Sequence, residues 1–207
     1  SRITWIAFCY KPPPLTENFG IGVRVEIAVY GGSFNPPHVG HAMVAAWLHW
    51  TGLAEQVWLV PAFSHAFDKP LAPFALRMEA CRRMASSLGD WANVEGIEAE
   101  LPGPSYTIRT LDSLSARHPG LRLRWVVGSD ALPTLHLWRE WDRIVRDYPP
   151  IVVGRAGYAA VEGAPTFPDV SSTEVRQRLA EGRSVQHLLE TGVRTLVEEN
   201  AALFFGD

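Results

Sequence analysis

Short apolar runs alternate along the chain with longer stretches of helical periodicity, and the two periods together predict its elements. The run Val25-Glu26-Ile27-Ala28-Val29-Tyr30 belongs to a first buried strand, 23–30. A helix is predicted from about Pro37 to Thr51, with Val44, Trp47 and Leu48 on its packing side. Val57–Pro61 reads as a second strand, followed by a loop over Ala62–Ala72. The next helix, Pro73–Leu88, carries Leu76, Ala80 and Met84 at i, i+4 spacing with its arginines opposite. Val94–Ile97 is predicted as a third strand, Leu101–Ser105 as a loop and Tyr106–Arg117 as a helix. Leu121–Val127 gives a fourth strand, Leu137–Arg146 an aromatic-rich helix and Pro150–Val153 a fifth strand. A turn-rich connection, Gly154–Pro168, leads to two closing helices, Ser171–Glu181 and Gln186–Leu203.

Strands and helices alternating at this spacing predict an α/β fold: a doubly wound, mostly parallel, Rossmann-like sheet with helices on both faces. Such sheets bind ligands at the C-terminal ends of their strands, near the point where strand order reverses. The loops at Gly31, Ala62 and Gly128 all fall at such ends. Residues 1–22 are weakly periodic around Pro12-Pro13-Pro14 and read as an irregular extension. Residues 23–207 read as one domain.

The 207 residues are 47% hydrophobic and 20% charged, with net charge −3. That balance argues against a nucleic-acid or anionic-membrane binder, which needs clustered basic charge. No apolar run is long enough to span a bilayer and the start has no secretory pattern, so a cytoplasmic protein is the expectation. Cys9 and Cys81 form no CxxC pair and read as reduced thiols. Oligomeric state is not encoded legibly, and a homo-oligomer stays open.

Candidate chemistry concentrates in Gly31-Gly32-Ser33-Phe34-Asn35-Pro36-Pro37-His38-Val39-Gly40-His41. A strand, a glycine turn and a helix start place unpaired amides where a phosphate can bind. Asn35 is the expected N-cap. His38 and His41 share one face of the first turn and can donate to polyphosphate, the more strongly when protonated near neutral pH. Zinc is the competing use for two imidazoles, but no third ligand or HExxH lies nearby. Ser171-Ser172-Thr173-Glu174-Val175-Arg176 has capping-box spacing between Ser171 and Glu174, and Arg176 can add planar contacts to phosphate. Taken alone it is equally a well-capped surface helix. Gly128-Ser129-Asp130 ends a strand, either capping the next helix or admitting a ribose or base. His65 and Lys69 could present a cation from the second loop. Ser105, Tyr106 and Thr107 open a helix and could meet a flat ligand, as could Trp138; Trp141 reads as core.

Five segments, GGSFNPPHVGH at 31–41, SYTIRTLDSL at 105–114, WVVGSDAL at 125–132, LWREWDRI at 137–144 and VSSTEVR at 170–176, resemble the bacterial nicotinate-nucleotide adenylyltransferases. They occur in the family's order over Val25 to Leu203. The resemblance implies that His38 and His41 contact ATP phosphates, with Arg176, Ser171, Ser172 and Thr173 holding the polyphosphate. Gly31, Gly32, Ser33 and Phe34 would belong to the same ATP site, and Gly128 and Asp130 would lie by the adenosine. Ser105, Tyr106, Thr107 and Trp138, with His65 and Lys69, would line the acceptor-nucleotide pocket. The family usually has an adjacent His-Lys pair where Ala66-Phe67-Asp68 here separates His65 from Lys69.

The implied reaction moves AMP from ATP to nicotinate mononucleotide, with magnesium accompanying ATP and no metal ligands on the protein. ATP and a pyridine mononucleotide are the implied partners. Nicotinamide mononucleotide or another phosphate acceptor is the nearest alternative. A nucleotide-binding module without turnover, or a zinc hydrolase, would come from different classes.

Overall fold

The computed structural model describes residues 25–64 and 71–205. Six strands form one sheet in the order β3-β2-β1-β4-β5-β6. They are β1 (Glu26–Gly32), β2 (Gln56–Pro61), β3 (Ala92–Val94), β4 (Arg122–Gly128), β5 (Ile151–Arg155) and β6 (Thr166–Phe167). Every pairing is parallel. This order reverses between β1 and β4, where a doubly wound sheet opens its ligand crevice.

Helices cover both faces because the strands alternate side chains between two cores. Ala28, Leu59, Val126 and Val153 face one cluster with helices α1 (Val39–Trp50), α2 (Phe74–Leu88), α5 (Ser172–Ala180) and α6 (Thr191–Glu199). Ile27, Val29, Trp125 and Val127 face the other, beneath α3 (Thr107–Arg117) and α4 (Trp141–Asp147). Such two-sided burial explains why the strands are nearly continuous apolar runs. The described residues end in a short helix, α7 (Ala201–Phe205).

Several boundaries differ from the sequence expectation. The third strand is Ala92–Val94, and Ile97–Glu100 is a 3₁₀ turn rather than strand. A sixth strand, Thr166–Phe167, lies inside the connection expected to be all turn. The aromatic helix expected over Leu137–Arg146 is a 3₁₀ turn at Leu132–Leu137 and then α4. Glu140 breaks it with φ 55, a left-handed backbone that a helix interior cannot contain. The closing helix is likewise two, because Asn200 leaves helical geometry between α6 and α7. The extension over residues 1–22 and Cys9 lie outside the described residues; Cys81 is a buried free thiol.

Candidate active site

β1 ends in the glycine loop, and α1 begins at Val39 with His38 as its N-cap. Asn35 is therefore not the cap: its Oδ1 accepts the Ala72 N–H at 3.0 Å instead, tying the glycine loop to the start of α2. Two prolines between Asn35 and His38 delay the helix by keeping residues before them out of helical geometry. Phe34 has φ 46 and is buried, its ring 4.8 Å from the His41 ring. Tyr30 meets the same two rings at 5.7 and 5.8 Å.

The imidazoles of His38 and His41 lie with centroids 3.8 Å apart. His41 Nδ1 accepts the His38 backbone N–H at 3.1 Å. Burial pushes the His38 pKa down to about 4, and the Arg155 guanidinium pushes the same way. Burial, the His38 ring and Arg155 hold His41 well below its ordinary value. The expectation of protonated imidazoles near neutral pH is corrected here: without a polyanion beside them, both rings are neutral. Gly40 is what lets the His38 ring settle, since a Cβ at that position would meet it at 3.0 Å.

α5 is docked directly onto this loop from far along the chain. Arg176 donates to the Asn35 carbonyl at 2.7 Å, and the Ser172 hydroxyl donates to the Pro36 carbonyl at 2.8 Å. Ser171 caps α5 by accepting the Glu174 N–H at 3.1 Å. Glu174 turns its carboxylate to Arg178 instead of completing a capping box. At the end of β4, the Ser129 hydroxyl accepts the Arg155 N–H at 2.9 Å. Asp130 forms an ion pair with Arg155 at 3.0 Å.

These elements enclose a cavity of about 1160 Å³ above the sheet reversal. It is lined by Gly31, Gly32, Ser33, Phe34, His38, His41, Gly128, Asp130, Ser171, Ser172, Thr173 and Arg176 toward the α1 face. Ser105, Tyr106, Thr107 and Trp138 line a second lobe on the α3 face. All sequence-predicted site residues thus meet in one hollow, except His65 and Lys69, which lie outside the described residues. Trp141 sets its ring edge against Trp125, centroids 6.0 Å apart, as the core reading expects.

Sequence reading misses four side chains that shape the site. Arg155 ends β5, and the same strand-end rule that flags Gly128 would find it. Arg77 is expected on the outer face of α2 with the other arginines, yet it is 1% exposed. Its guanidinium donates to the carbonyls of Ala72 (2.9 Å), Ser33 (2.9 Å), Ala62 (2.7 Å) and Phe63 (3.4 Å). Its spacing from Cys81 and Met84 puts it on the apolar stripe, which is the available signal. Glu98 accepts the Phe63 N–H at 3.3 Å and the Thr110 hydroxyl at 2.6 Å. Arg139 lines the second lobe. Among the described residues, no group of three or more His, Cys, Asp or Glu side chains is placed to hold a metal.

Residues 29–178 match the cytidylyltransferase-like family. A protein of Anaeromyxobacter dehalogenans named a probable nicotinate-nucleotide adenylyltransferase is 49% identical over 176 residues, covering 84% of this chain and 94% of its own. One of Myxococcus xanthus with the same name is 41% identical over 167 residues, covering 80% of this chain and 87% of its own. A Plasmodium falciparum nicotinic acid mononucleotide adenylyltransferase, solved in complex with NaAD, shares the fold at TM-score 0.71 and 18% identity, over 88% of this chain and 99% of that one.

Proposed function

The chain belongs to the cytidylyltransferase-like family and, within it, to the nicotinate-nucleotide adenylyltransferases; from that premise we propose how its side chains move AMP from ATP to nicotinate mononucleotide. An oxygen of the acceptor 5′-phosphate attacks the α-phosphorus of ATP. A new P–O bond forms, the bond to the β-phosphate bridging oxygen breaks, and pyrophosphate leaves with deamido-NAD as the other product. The attacking phosphate is already nucleophilic, so no side chain has to be activated. Positioning and charge stabilisation then carry the rate, and alignment alone supplies roughly 7–11 kcal/mol in favourable cases.

The observation that carries this reading is the bolting of α5 onto the histidine loop, Arg176 to Asn35 and Ser172 to Pro36, at the rim of one cavity. His38, His41 and Arg176 then surround the leaving pyrophosphate, helped by the positive N-terminal ends of α1 and α5. Because His41 Nδ1 is an acceptor, its neutral ring keeps its proton on Nε2 and donates from there. A triphosphate beside the rings raises their proton affinity, so charge on the imidazoles arises with the substrate. Gly128 and Asp130 receive the adenosine. Ser105, Tyr106, Thr107 and Trp138 form the acceptor lobe, in which aromatic rings suit a pyridine.

Asp130 is tied to Arg155, and the described residues offer no metal-ligand cluster. That donor set fits a divalent ion carried by the triphosphate and water, with magnesium as the expected ion. When bound, it neutralises phosphate charge. No described helix is long and apolar enough to cross a membrane, and a cytoplasmic location, where ATP is abundant, fits the reaction. Residues 23–207 act as the single catalytic unit.

Pyrophosphate release tests the reading, with ATP and each acceptor supplied to the full chain. Release with nicotinate mononucleotide, and formation of deamido-NAD, is expected. ATP binding without release for any acceptor would replace the enzyme with a nucleotide sensor.

A further inference from the structure

A single buried cation joins segments that line different parts of the cavity. Ser33 lines it on the glycine loop, Ala62 at the end of β2, and Glu98 and Thr110 beside α3. Arg77 of α2 reaches the first two with one nitrogen. Its Nη1 donates to the Ser33 carbonyl at 2.9 Å and to the Ala62 carbonyl at 2.7 Å. Its Nε and Nη2 hold the carbonyls of Ala72 and Phe63. All four carbonyls lie outside strands and helices, so no regular backbone ladder fixes their positions. A guanidinium can span them because its donors form a rigid, planar fork, which the point charge of an ammonium cannot imitate.

The contacts continue in both directions from Arg77. Phe63 gives its carbonyl to the guanidinium and its N–H to Glu98, whose other oxygen accepts the Thr110 hydroxyl. Thr110 in turn sits one turn into α3, its N–H on the Tyr106 carbonyl at 3.3 Å. On the opposite side Asn35 accepts the Ala72 N–H with Oδ1 and the Arg176 guanidinium with its carbonyl. An unbroken run of hydrogen bonds thus leads from Arg176 and Asn35, through Arg77, to Glu98 and Thr110. The groups assigned to ATP stand at one end and the acceptor lobe at the other. Arg77 is the buried midpoint.

We propose that Arg77 is a positioning residue that couples the two substrate sites, so that ATP and the acceptor mononucleotide each tighten the other's binding. A ligand seated on the glycine loop restrains Ser33, and one seated beside α3 restrains the segment that Glu98 and Phe63 hold. Because one guanidinium holds both segments, the first ligand orders part of what the second would otherwise have to order. The second then loses less freedom on binding, which is positive cooperativity without a large movement. The same clasp fixes the separation at which the two nucleotides must meet for in-line transfer. The inference rests on the two-substrate reading above and names the side chain that links the two halves.

Titration calorimetry on the full chain tests it, with nicotinate mononucleotide and an ATP analogue carrying a methylene between the α- and β-phosphates, which cannot transfer. In the wild type, saturating mononucleotide is expected to tighten the analogue by about tenfold, and the analogue to tighten the mononucleotide by the same factor. Arg77→Lys keeps the charge but not the fork, and should bring that factor close to one while each ligand alone still binds. A residue that only supported the fold would lower the thermal midpoint and leave the factor as it was. Should Arg77→Lys show no folding transition, Asn35→Ala decides instead, since it cuts the parallel link to Ala72 and is expected to reduce the factor. A wild type that binds the two ligands independently overturns the proposal. So does a folded Arg77→Lys, or in its place Asn35→Ala, that keeps the wild-type factor. Because the readout is binding, a wild type that coupled its ligands but released no pyrophosphate from ATP would lose the proposed reaction and keep this inference.

Discussion

Because His41 accepts a backbone N–H at Nδ1 and His38 is buried against it, acid pH works against the folded protein at this one loop. An ordinary histidine in the unfolded chain takes up its proton near pH 6.5, whereas folded His38 waits until about 4. The unfolded state therefore binds more protons across that window, and stability falls as pH drops from 6.5 toward 4. His38 alone should cost on the order of 2 kcal/mol between pH 7 and pH 5, read as a lower urea midpoint. A midpoint that holds or rises would contradict the buried neutral rings. Gly40 gives a second expectation at this scale. Gly40→Ala forces the His38 ring to move, since the new Cβ starts 3.0 Å from it. Turnover should drop by about tenfold with the fold kept, as small misplacements of catalytic groups do. The histidine motif is legible in sequence because its chemistry is local and contiguous. The protonation state is not, because it depends first on how deeply packing buries the rings and then on Arg155, which reaches the loop from another strand.

At the scale of elements, Arg77 shows what periodicity alone conceals. The spacing of α2 reads as apolar on one side and basic on the other, yet this arginine turns inward and holds the carbonyls of Ser33, Ala62, Ala72 and Phe63. It joins the glycine loop to the segment after β2, and Glu98 grips that segment from the other side through the Phe63 N–H. Arg77→Met should lower stability by about 3 kcal/mol or more, since buried carbonyls would lose a charged donor. Chemical denaturation would measure it; a loss near zero would mean that water replaces the guanidinium without penalty. Long strands and amphipathic helices are readable from their hydrophobic period. Short β6 and the break at Glu140 are not: a two-residue strand has no period, and a left-handed residue is fixed by its surroundings rather than by its own type.

Across the whole molecule, the proposed reaction depends on bringing residues 31–41 and 170–176 together. The alternating element pattern already places both motifs at one edge of a parallel sheet. The strand order β3-β2-β1-β4-β5-β6 supplies the reversal at which that edge opens. Sequence could not supply the direct contacts between Arg176 and Asn35 or between Ser172 and Pro36, which arise only when α5 is laid on the loop. The most direct test of this convergence compares turnover and ATP affinity in His41→Ala and Arg176→Gln, with pyrophosphate release measured at saturating ATP and nicotinate mononucleotide. If both groups act on charge developing at the leaving phosphates, each variant should lose about a hundredfold or more in turnover while ATP affinity shifts far less. Turnover and ATP affinity falling in equal measure, or turnover left intact by either change, would contradict it.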